Sequence, residues 1–542
     1  MSILKHLRHA TFLLSALFLI FSNGLAQPPA PAEAPSREAR IEKLKAEYAQ
    51  AEKSNDGDAL LRALVPLTEF LKGTPDWGVW QRRLVWREYH YGSQNRAIEL
   101  GEEFVAKQDM PPMTYSRGVS ELAWMYFDIN RVREGIVTLA KAEAAFSALP
   151  STILPAQRAA LEASLIAARG YGFWRSGDLE TSSSTLRRGL ALAMQAAVET
   201  AGKASSSESN SEIYSRASGE MYRLAGLLLY ALLREGKVAE AHAIAEEWLV
   251  RAKAGSLDRN QYAVWQRRLG STLAAQRKFE EALAAVRAGF GEQQQMGAED
   301  TSHNATIGYN LEIRALVGLQ RWADADTTYK QYRDAARGDS VALQRASNAP
   351  LESIVAAKNG RVDDALRRIE GSIRSRTRLY GASHYLTRES RGIRGAVQLI
   401  GGAADSALRD YEELFTVLLD TPSGWTDLSP TGVRGFYLDV ALDEYLGYVA
   451  ARYRAGGASA VPTAVVNRVV QLLDRVGTGA AQQSIIDASA RVRAVNPELK
   501  ALLDKEQALR GAVQMAFREI SDLLAKDNSK TPSTEREKIL GS

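Results

Sequence analysis

The sequence predicts an all-α protein, a right-handed superhelical solenoid of antiparallel helix pairs followed by a helical, coiled-coil-like C-terminal segment. Three observations carry this. A six-residue phrase recurs: a helix-stopping residue, one polar, one apolar, two polar and then a small residue, with a period near 41 residues in its last five copies. Apolar residues flank each copy at helical spacing. Glycine outnumbers proline 41 to 16, which favours helices ended by glycine over strands.

In chain order, the first element is a leader. Lys5 and Arg8 precede an apolar stretch from Ala10 to Phe21, and Gly24-Leu25-Ala26 offers small residues for cleavage. Residues 1–26 therefore read as a secretory signal, with the mature chain starting near Gln27. The apolar run is shorter than the ~20 residues that span a bilayer, so no stable membrane insertion is expected after cleavage. Export to the periplasm, cell envelope or exterior follows as the expectation. Pro28, Pro29, Pro31 and Pro35 make residues 27–40 a Pro/Ala-rich tether.

Lysine and arginine number 68 against 64 acids, and the leader holds two of the cations and no acid. A near-neutral balance predicts no basic patch large enough for phosphate, and nucleic acid is not an expected partner. The absence of cysteine excludes disulfides, thiolate metal sites and a cysteine nucleophile.

The repeat array spans residues 41–420. Its clearest phrase is Gly236-Lys-Val238-Ala-Glu-Ala241, matched by Arg277 to Ala282, Gln320 to Ala325, Gly360 to Ala365 and Gly402 to Ala407. Weaker copies run from Gly92 to Ala97, Asn130 to Gly135 and Gly177 to Ser182. The first residue ends helix A, and the small residue lets the returning helix B approach it closely. Leu84, Leu122, Leu228 and Leu269 lie eight before the stop, while Leu139, Leu186, Val286, Tyr329, Ile369 and Tyr411 lie nine after it. These positions fall on one face of each helix, and stacked hairpins bury that face together.

The phrase resembles the tetratricopeptide repeat, whose signature is best kept in Trp265, Leu269-Gly270, Phe279 and Ala282. The longer period is similar to kinesin-light-chain-like arrays, which carry a Gly-x-x-His-x-x-Thr stretch like Gly381 to Thr387. Gly297 to His303 is a looser echo. The resemblance implies a binding scaffold for a protein or peptide held in a concave groove.

A duplication supports the register: Val79-Trp80-Gln81-Arg82-Arg83-Leu84 recurs letter for letter at Val264 to Leu269. Two readings stay open. Gln81, Arg82, Gln266 and Arg267 face the groove and hold a peptide, or they are solvated while Trp80 and Trp265 fill the core. The second is the commoner fate of such residues. The aromatic run Trp77, Trp80, Trp86, Tyr89 and Tyr91 is mostly core at this spacing. Exposed members, Trp86 and Tyr89 above all, would form a binding edge.

Two stretches break the period. Ala204 to Ser211, with five serines in eight residues, reads as a loop after a long helix B ending near Ala201. Residues 421–460 read as a diverged helix pair or cap, with turn clusters around Trp425 and a helix from about Gly435 to Arg454. Residues 461–527 form a helical connector: Val465 to Val476, Gln482 to Val495, and a long helix from Glu498 to Lys526 with a leucine seam at Leu502, Leu509 and Leu523. The seam suits either a capping helix or a docking surface through which copies assemble. Residues 528–542 are a tail or the start of a linker.

Ala480 to Ser484, Ser489-Ala490-Arg491 and the leucine-rich helix are similar to the connector of secreted bacterial CHAT-type proteins, caspase-like peptidases behind tetratricopeptide repeats. That resemblance implies a regulatory region. Such a peptidase needs a His/Cys pair, and this chain has no cysteine, so catalysis would belong to a domain downstream of it. The alternative is a stand-alone subunit of a cell-envelope assembly, and less so a carboxylate-based repeat enzyme.

No catalytic, cofactor or metal site is expected. His90, His242, His303 and His384 lie on different repeats without metal-ligand spacing. Asp363-Asp364 and Glu280-Glu281 begin helix B, where carboxylates suit the positive helix end. Asn304-Ala-Thr306 is a glycosylation triplet.

Overall fold

The structure, a computed structural model, describes residues 36–477 except 108, 177, 202–207, 255–258, 348, 421–432 and 455–460. Among these residues there are twenty-one α-helices, one short 3-10 turn and no strand. The chain divides into two units, residues 1–43 and 44–542. Of the first, residues 37–43 are helical, so α1 (Arg37–Ser54) begins inside the segment read as a tether.

The second unit is a solenoid of hairpins. After α1 come α2 (Gly57–Leu71), α3 (Trp77–Tyr91), α4 (Gln94–Ala106), α5 (Pro112–Asp128), α6 (Val132–Ser147), α7 (Pro155–Ser176) and α8 (Leu179–Ala201). Then follow α9 (Glu208–Arg234), α10 (Val238–Ala254), α11 (Arg259–Ala275), α12 (Phe279–Gln295), α13 (His303–Gly318) and α14 (Trp322–Ala335). A 3-10 turn (Ala336–Gly338) and the short α15 (Ser340–Ala346) interrupt the series before α16 (Ala349–Lys358), α17 (Val362–Tyr380), α18 (Tyr385–Ile400) and α19 (Ala404–Asp420). The last two are α20 (Val433–Tyr453) and α21 (Thr463–Gly477).

Six of the eight stop residues share one mechanism, whereas Gly92 ends α3 at φ −113° with its N–H on the Glu88 carbonyl four back, and Gly177 lies outside the described residues. Asn130, Gly236, Arg277, Gln320, Gly360 and Gly402 adopt left-handed backbone, with φ from 56° to 82°. In each, the stop N–H donates to the carbonyl three residues back and the next N–H to the carbonyl five back, as in Gly236 to Leu233 and Lys237 to Leu232. This pair of bonds satisfies the orphan carbonyls that end helix A. Asn55, with φ 54°, makes the same pair of bonds between α1 and α2. That hairpin escapes the sequence phrase because Leu60 stands at its small position, where it is buried.

The small positions are closed to solvent. Ala97, Ser182, Ala241, Ala282, Ala325, Ala365 and Ala407 are all 0% exposed. Ser182 Oγ donates to the Gly170 carbonyl at 2.8 Å, which measures how near helix B runs to helix A. At Gly135 an added Cβ would lie 2.6 Å from the Phe127 ring. Ala365→Phe therefore overpacks α16 against α17 and lowers stability by about 1–3 kcal/mol; an unchanged melting temperature would refute the register. The flanking apolar set is core, with Leu84, Leu122, Leu186, Val286, Ile369 and Tyr411 all buried, except Leu269, which is only partly buried against it.

The long gap between Gly177 and Gly236 is filled mainly by helix. α8 ends at Ala201 as expected, but α9 starts at Glu208, so the latter half of the serine-rich stretch is the opening turn of a helix. Residues 204–207, the first half of that stretch, lie outside the described residues.

The solenoid closes on itself. The Gly57 N–H donates to the Met296 carbonyl at 2.6 Å, and the Glu299 N–H to the Tyr91 carbonyl at 2.7 Å. Gln94 Nε2 donates to Thr301 O at 2.7 Å, and Ser93 Oγ bonds Asp339 Oδ2 at 2.6 Å. Gly297, at φ 82°, is needed here because a Cβ would sit 2.8 Å from the Asp58 nitrogen. The turn between α12 and α13, together with α15, thus seats against α2, α3 and α4 and completes a ring of hairpins.

Beyond the ring, α20 covers the last hairpin with Phe436, Leu438, Ala441, Leu442 and Tyr445, and Tyr411 Oη donates to the Ala441 carbonyl at 2.5 Å. It caps the core. α21 agrees with the first expected connector helix and lies on α19, with Leu472 buried and Arg468 paired to Glu412 at 3.2 Å. The leader, the turn clusters around Trp425, the rest of the connector and its leucine seam lie outside the described residues.

Candidate functional site

Counting back six residues from successive stops gives Trp86, Trp124, Tyr171, Tyr230, Ser271 and Arg314, on α3, α5, α7, α9, α11 and α13. All six line one cavity of about 1280 Å³, the lumen of the closed ring. Two residues before the stop stand His90, Asp128, Arg175 and Arg234, and they line it too. One turn separates the two positions, so they share the inner face of each helix A. The lumen is a single phase of the repeat, seen from inside.

One wall of the lumen is a buried polar node. Asp128, with its side chain 5% exposed, accepts from Tyr89 Oη at 2.6 Å, Tyr171 Oη at 2.8 Å and Arg345 Nη1 at 2.5 Å. His303 Nδ1 lies 2.9 Å from the same carboxylate. Burial works against the charge on Asp128, but Arg345 and then His303 hold its carboxyl well below the usual range. Burial is also the largest influence on His303 and lowers its pKa despite the pull of Asp128. His90, 5.2 Å away ring to ring, donates Nδ1–H to the Trp86 carbonyl and is held neutral, its pKa lowered to about 3 by burial and by His303. Arg345 Nη1 also donates to Gln94 Oε1 at 2.8 Å. Six helices, α3, α4, α5, α7, α13 and α15, supply these contacts, so the node locks the ring where its two ends meet.

The histidines, which spacing places on separate repeats, are therefore only partly separate. Ring closure brings His90 and His303 together, because residues more than two hundred apart in sequence become neighbours. His242 bonds Thr272 Oγ1 at 2.9 Å and His384 caps α18, accepting from the Leu386 N–H at 3.3 Å. Among the described residues no group of His, Asp and Glu has the arrangement of a metal site.

The six residues proposed from sequence divide evenly. Trp86, Arg82 and Arg267 line the lumen. Tyr89 does not offer an exposed edge: it is 0% exposed, held in the node behind the wall. Gln81 turns to α4, donating to the Leu100 carbonyl at 3.3 Å, and Gln266 bonds Tyr262 Oη at 2.7 Å on its own helix. The duplicated hexapeptide explains the split. Trp265 is fully buried, stacked on Trp248 at 5.7 Å, and the arginine pair beside it faces inwards. The arginines are thus not solvated. Arg267, 4% exposed, donates to the Asn304 carbonyl at 2.8 Å and to Asn304 Oδ1 at 3.2 Å. Asn304 is buried by this duty, so the glycosylation triplet is closed.

The expectation of no basic patch is corrected as well. Thirteen arginines and no lysine line the lumen, against five carboxylates. The near-neutral total conceals this because most of the acids of the chain lie outside the lumen lining. Burial lowers the pKa of Arg117 to about 9 and of Arg267 and Arg268 to about 10, with neighbouring arginines adding to the effect at Arg117 and Arg267. Arg82 pairs with Glu121 at 2.8 Å and Arg223 with Glu220 at 2.6 Å, so part of the charge is neutralised internally. The six-before-stop ladder was present in the sequence and would have found this face.

No protein-family model matches the chain, and no curated protein matches it. Among solved structures it is similar to a Rap protein complexed with Competence and Sporulation Factor, at 12% identity, a TM-score of 0.41, and coverage of 68% of this chain and 98% of that one. It is similar also to the apo quorum sensor NprR from B. thuringiensis, at 12% identity and TM-score 0.38, over 71% of this chain and 100% of that one. The tetratricopeptide-repeat domain of P58(IPK) shares 13% identity and a TM-score of 0.19, over 76% of this chain and 99% of that one.

Proposed function

We propose that this chain is a tetratricopeptide-like interaction scaffold that takes a protein or peptide segment into its lumen. The observation that supports this is the lumen itself: about 1280 Å³, beyond the ~300–1,000 Å³ typical of small-molecule sites, walled by aromatic, apolar and cationic side chains of six successive A helices. Gly219 lines it, and an added Cβ there would meet nothing within 4 Å. Gly219→Trp adds an indole to the lumen wall at a position open to the first side-chain carbon. Peptides selected from a display library on the full chain should lose at least about tenfold in affinity to Gly219→Trp and nothing to Val250→Trp on the outer surface. Equal binding to both variants would refute a luminal site.

The finer reading joins this scaffold to export and to a CHAT-type protein, as its sensor region. The leader residues Lys5 to Ala26 and the connector motifs from Ala480 to Leu524 support it. N-terminal sequencing of the chain from the exported fraction should begin near Gln27, and a His/Cys domain encoded downstream of Ser542 should accompany it. A second reading, an assembly subunit of the cell envelope, is favoured by Val466 and Val470, exposed at 42% and 59% on α21. Light scattering decides it, since a strict monomer removes the assembly role.

A further inference from the structure

We propose that the lumen recognises an acidic polypeptide segment, whose carboxylates are held by arginines of α9 and α11. The inference rests on the reading of the lumen as the binding site and adds the chemistry of its occupant.

The first support is the choice of cation. The chain has eighteen lysines, yet all thirteen basic side chains described in the lumen wall are arginine. Lysine serves as a point charge, whereas the planar guanidinium fits a carboxylate with two parallel hydrogen bonds and tolerates burial. The second is the uncompensated charge. Arg267 and Arg268 are adjacent and repel each other; their protein partners are the Asn304 and Tyr222 carbonyls, the Asn304 amide oxygen, the Tyr230 hydroxyl and the Trp265 ring, with no carboxylate among them. Burying two like charges without a counter-ion is costly, and the cost is relieved when a ligand anion arrives. The third is hydrogen-bonding capacity. Arg267 Nε, Arg216 Nε and Arg223 Nη1 are buried N–H donors with no acceptor among the described residues. A native protein rarely leaves such donors idle except where something else satisfies them.

The lumen also tells a peptide from a polyphosphate. Glu121 and Glu220 stand in the same wall and would repel a continuous run of phosphates. Leu227, Val264, Ile307 and Leu311 offer apolar surface that only an occupant with apolar side chains can use. A segment alternating acidic and apolar residues satisfies both.

The test uses the full chain and three fluorescent peptides of equal length, alternating leucine with glutamate, glutamine or lysine. The glutamate peptide should bind at least about tenfold tighter than the glutamine peptide, the lysine peptide should not bind, and the glutamate affinity should fall as salt rises. Arg267→Gln with Arg268→Gln should cost the glutamate peptide about tenfold or more and leave the glutamine peptide unchanged. Arg216→Gln, which spares the Asn304 contact, gives the same direction if the double variant fails to fold. A glutamine peptide binding as well as the glutamate peptide, or inorganic polyphosphate displacing the glutamate peptide at lower concentration than the peptide's own unlabelled form, overturns the proposal. If Gly219→Trp still blocks that charge-blind binding, the luminal reading stands and only the acidic specificity falls. If Gly219→Trp has no effect, the luminal reading falls.

Discussion

Asp128→Ala should lower the stability of the chain by about 3–5 kcal/mol and open the ring of hairpins. The carboxylate has no free side. Tyr171 bonds Oδ1, while Tyr89 and Arg345 bond Oδ2. Removing it strands the Arg345 guanidinium in a site with only neutral partners within reach, Gln94 and Tyr89 among them, and leaves two tyrosine hydroxyls without their acceptor. The loss falls at the closure, so denaturation should show the stability change and small-angle scattering an increase in radius. Asp128→Ala combined with Arg345→Met should recover part of the loss, because deleting both ends of a buried pair costs less than deleting one. A loss under about 1 kcal/mol with unchanged scattering would mean the node locks nothing.

The pH dependence follows from the same geometry. The folded carboxyl titrates well below its ordinary value, so its contribution is present in full above the unfolded pKa of about 3.9 and is lost as pH falls from there toward the folded value. The wild type should lose stability through that acid window, and Asp128→Asn should flatten the profile there. A variant with the wild-type acid limb would show that other carboxylates carry it.

Trp265→Ala should cost about 3–5 kcal/mol, while Trp80→Ala, in an identical hexapeptide, should cost less than half as much. Trp265 is fully buried against Trp248 and carries the Arg268 guanidinium 4.4 Å over its ring. Trp80 is half-buried, edge-on to Tyr48 at 5.3 Å and packed at the margin of the small cluster that the first hairpin, α1 and α2, makes with Leu84. Chemical denaturation of both variants measures the difference. Equal costs would show that the local words, and not their place in the stack, set the energy.

That pair also marks how much of the molecule could be read in advance. Helix ends were legible because one left-handed residue followed by a small buried one is a local requirement. The hairpins from Gly236 to Ala407 are recognisable in single six-residue windows. The α1–α2 hairpin was not legible, since Leu60 breaks the pattern while Asn55 still makes the turn. Of the site, Trp86, Arg82 and Arg267 could be named from helical phase, but Tyr89 and Gln81 could not be separated from them, because neighbouring positions on one helix differ only in which partner the fold brings to them.

The sequence by itself determined that the chain makes stacked helix pairs, where each pair turns, and which residues fill the space between them. All of this is decided within about forty residues, by backbone conformation and by contacts between adjacent elements. Only the tertiary structure decided that the array closes, that Asp128 meets His303 and Arg345, and that arginines scattered over a near-neutral chain converge on one lumen. Closure depends on the accumulated rotation from repeat to repeat, a sum of small angles that no single hairpin encodes. The charge of a surface depends on which faces that rotation turns inward.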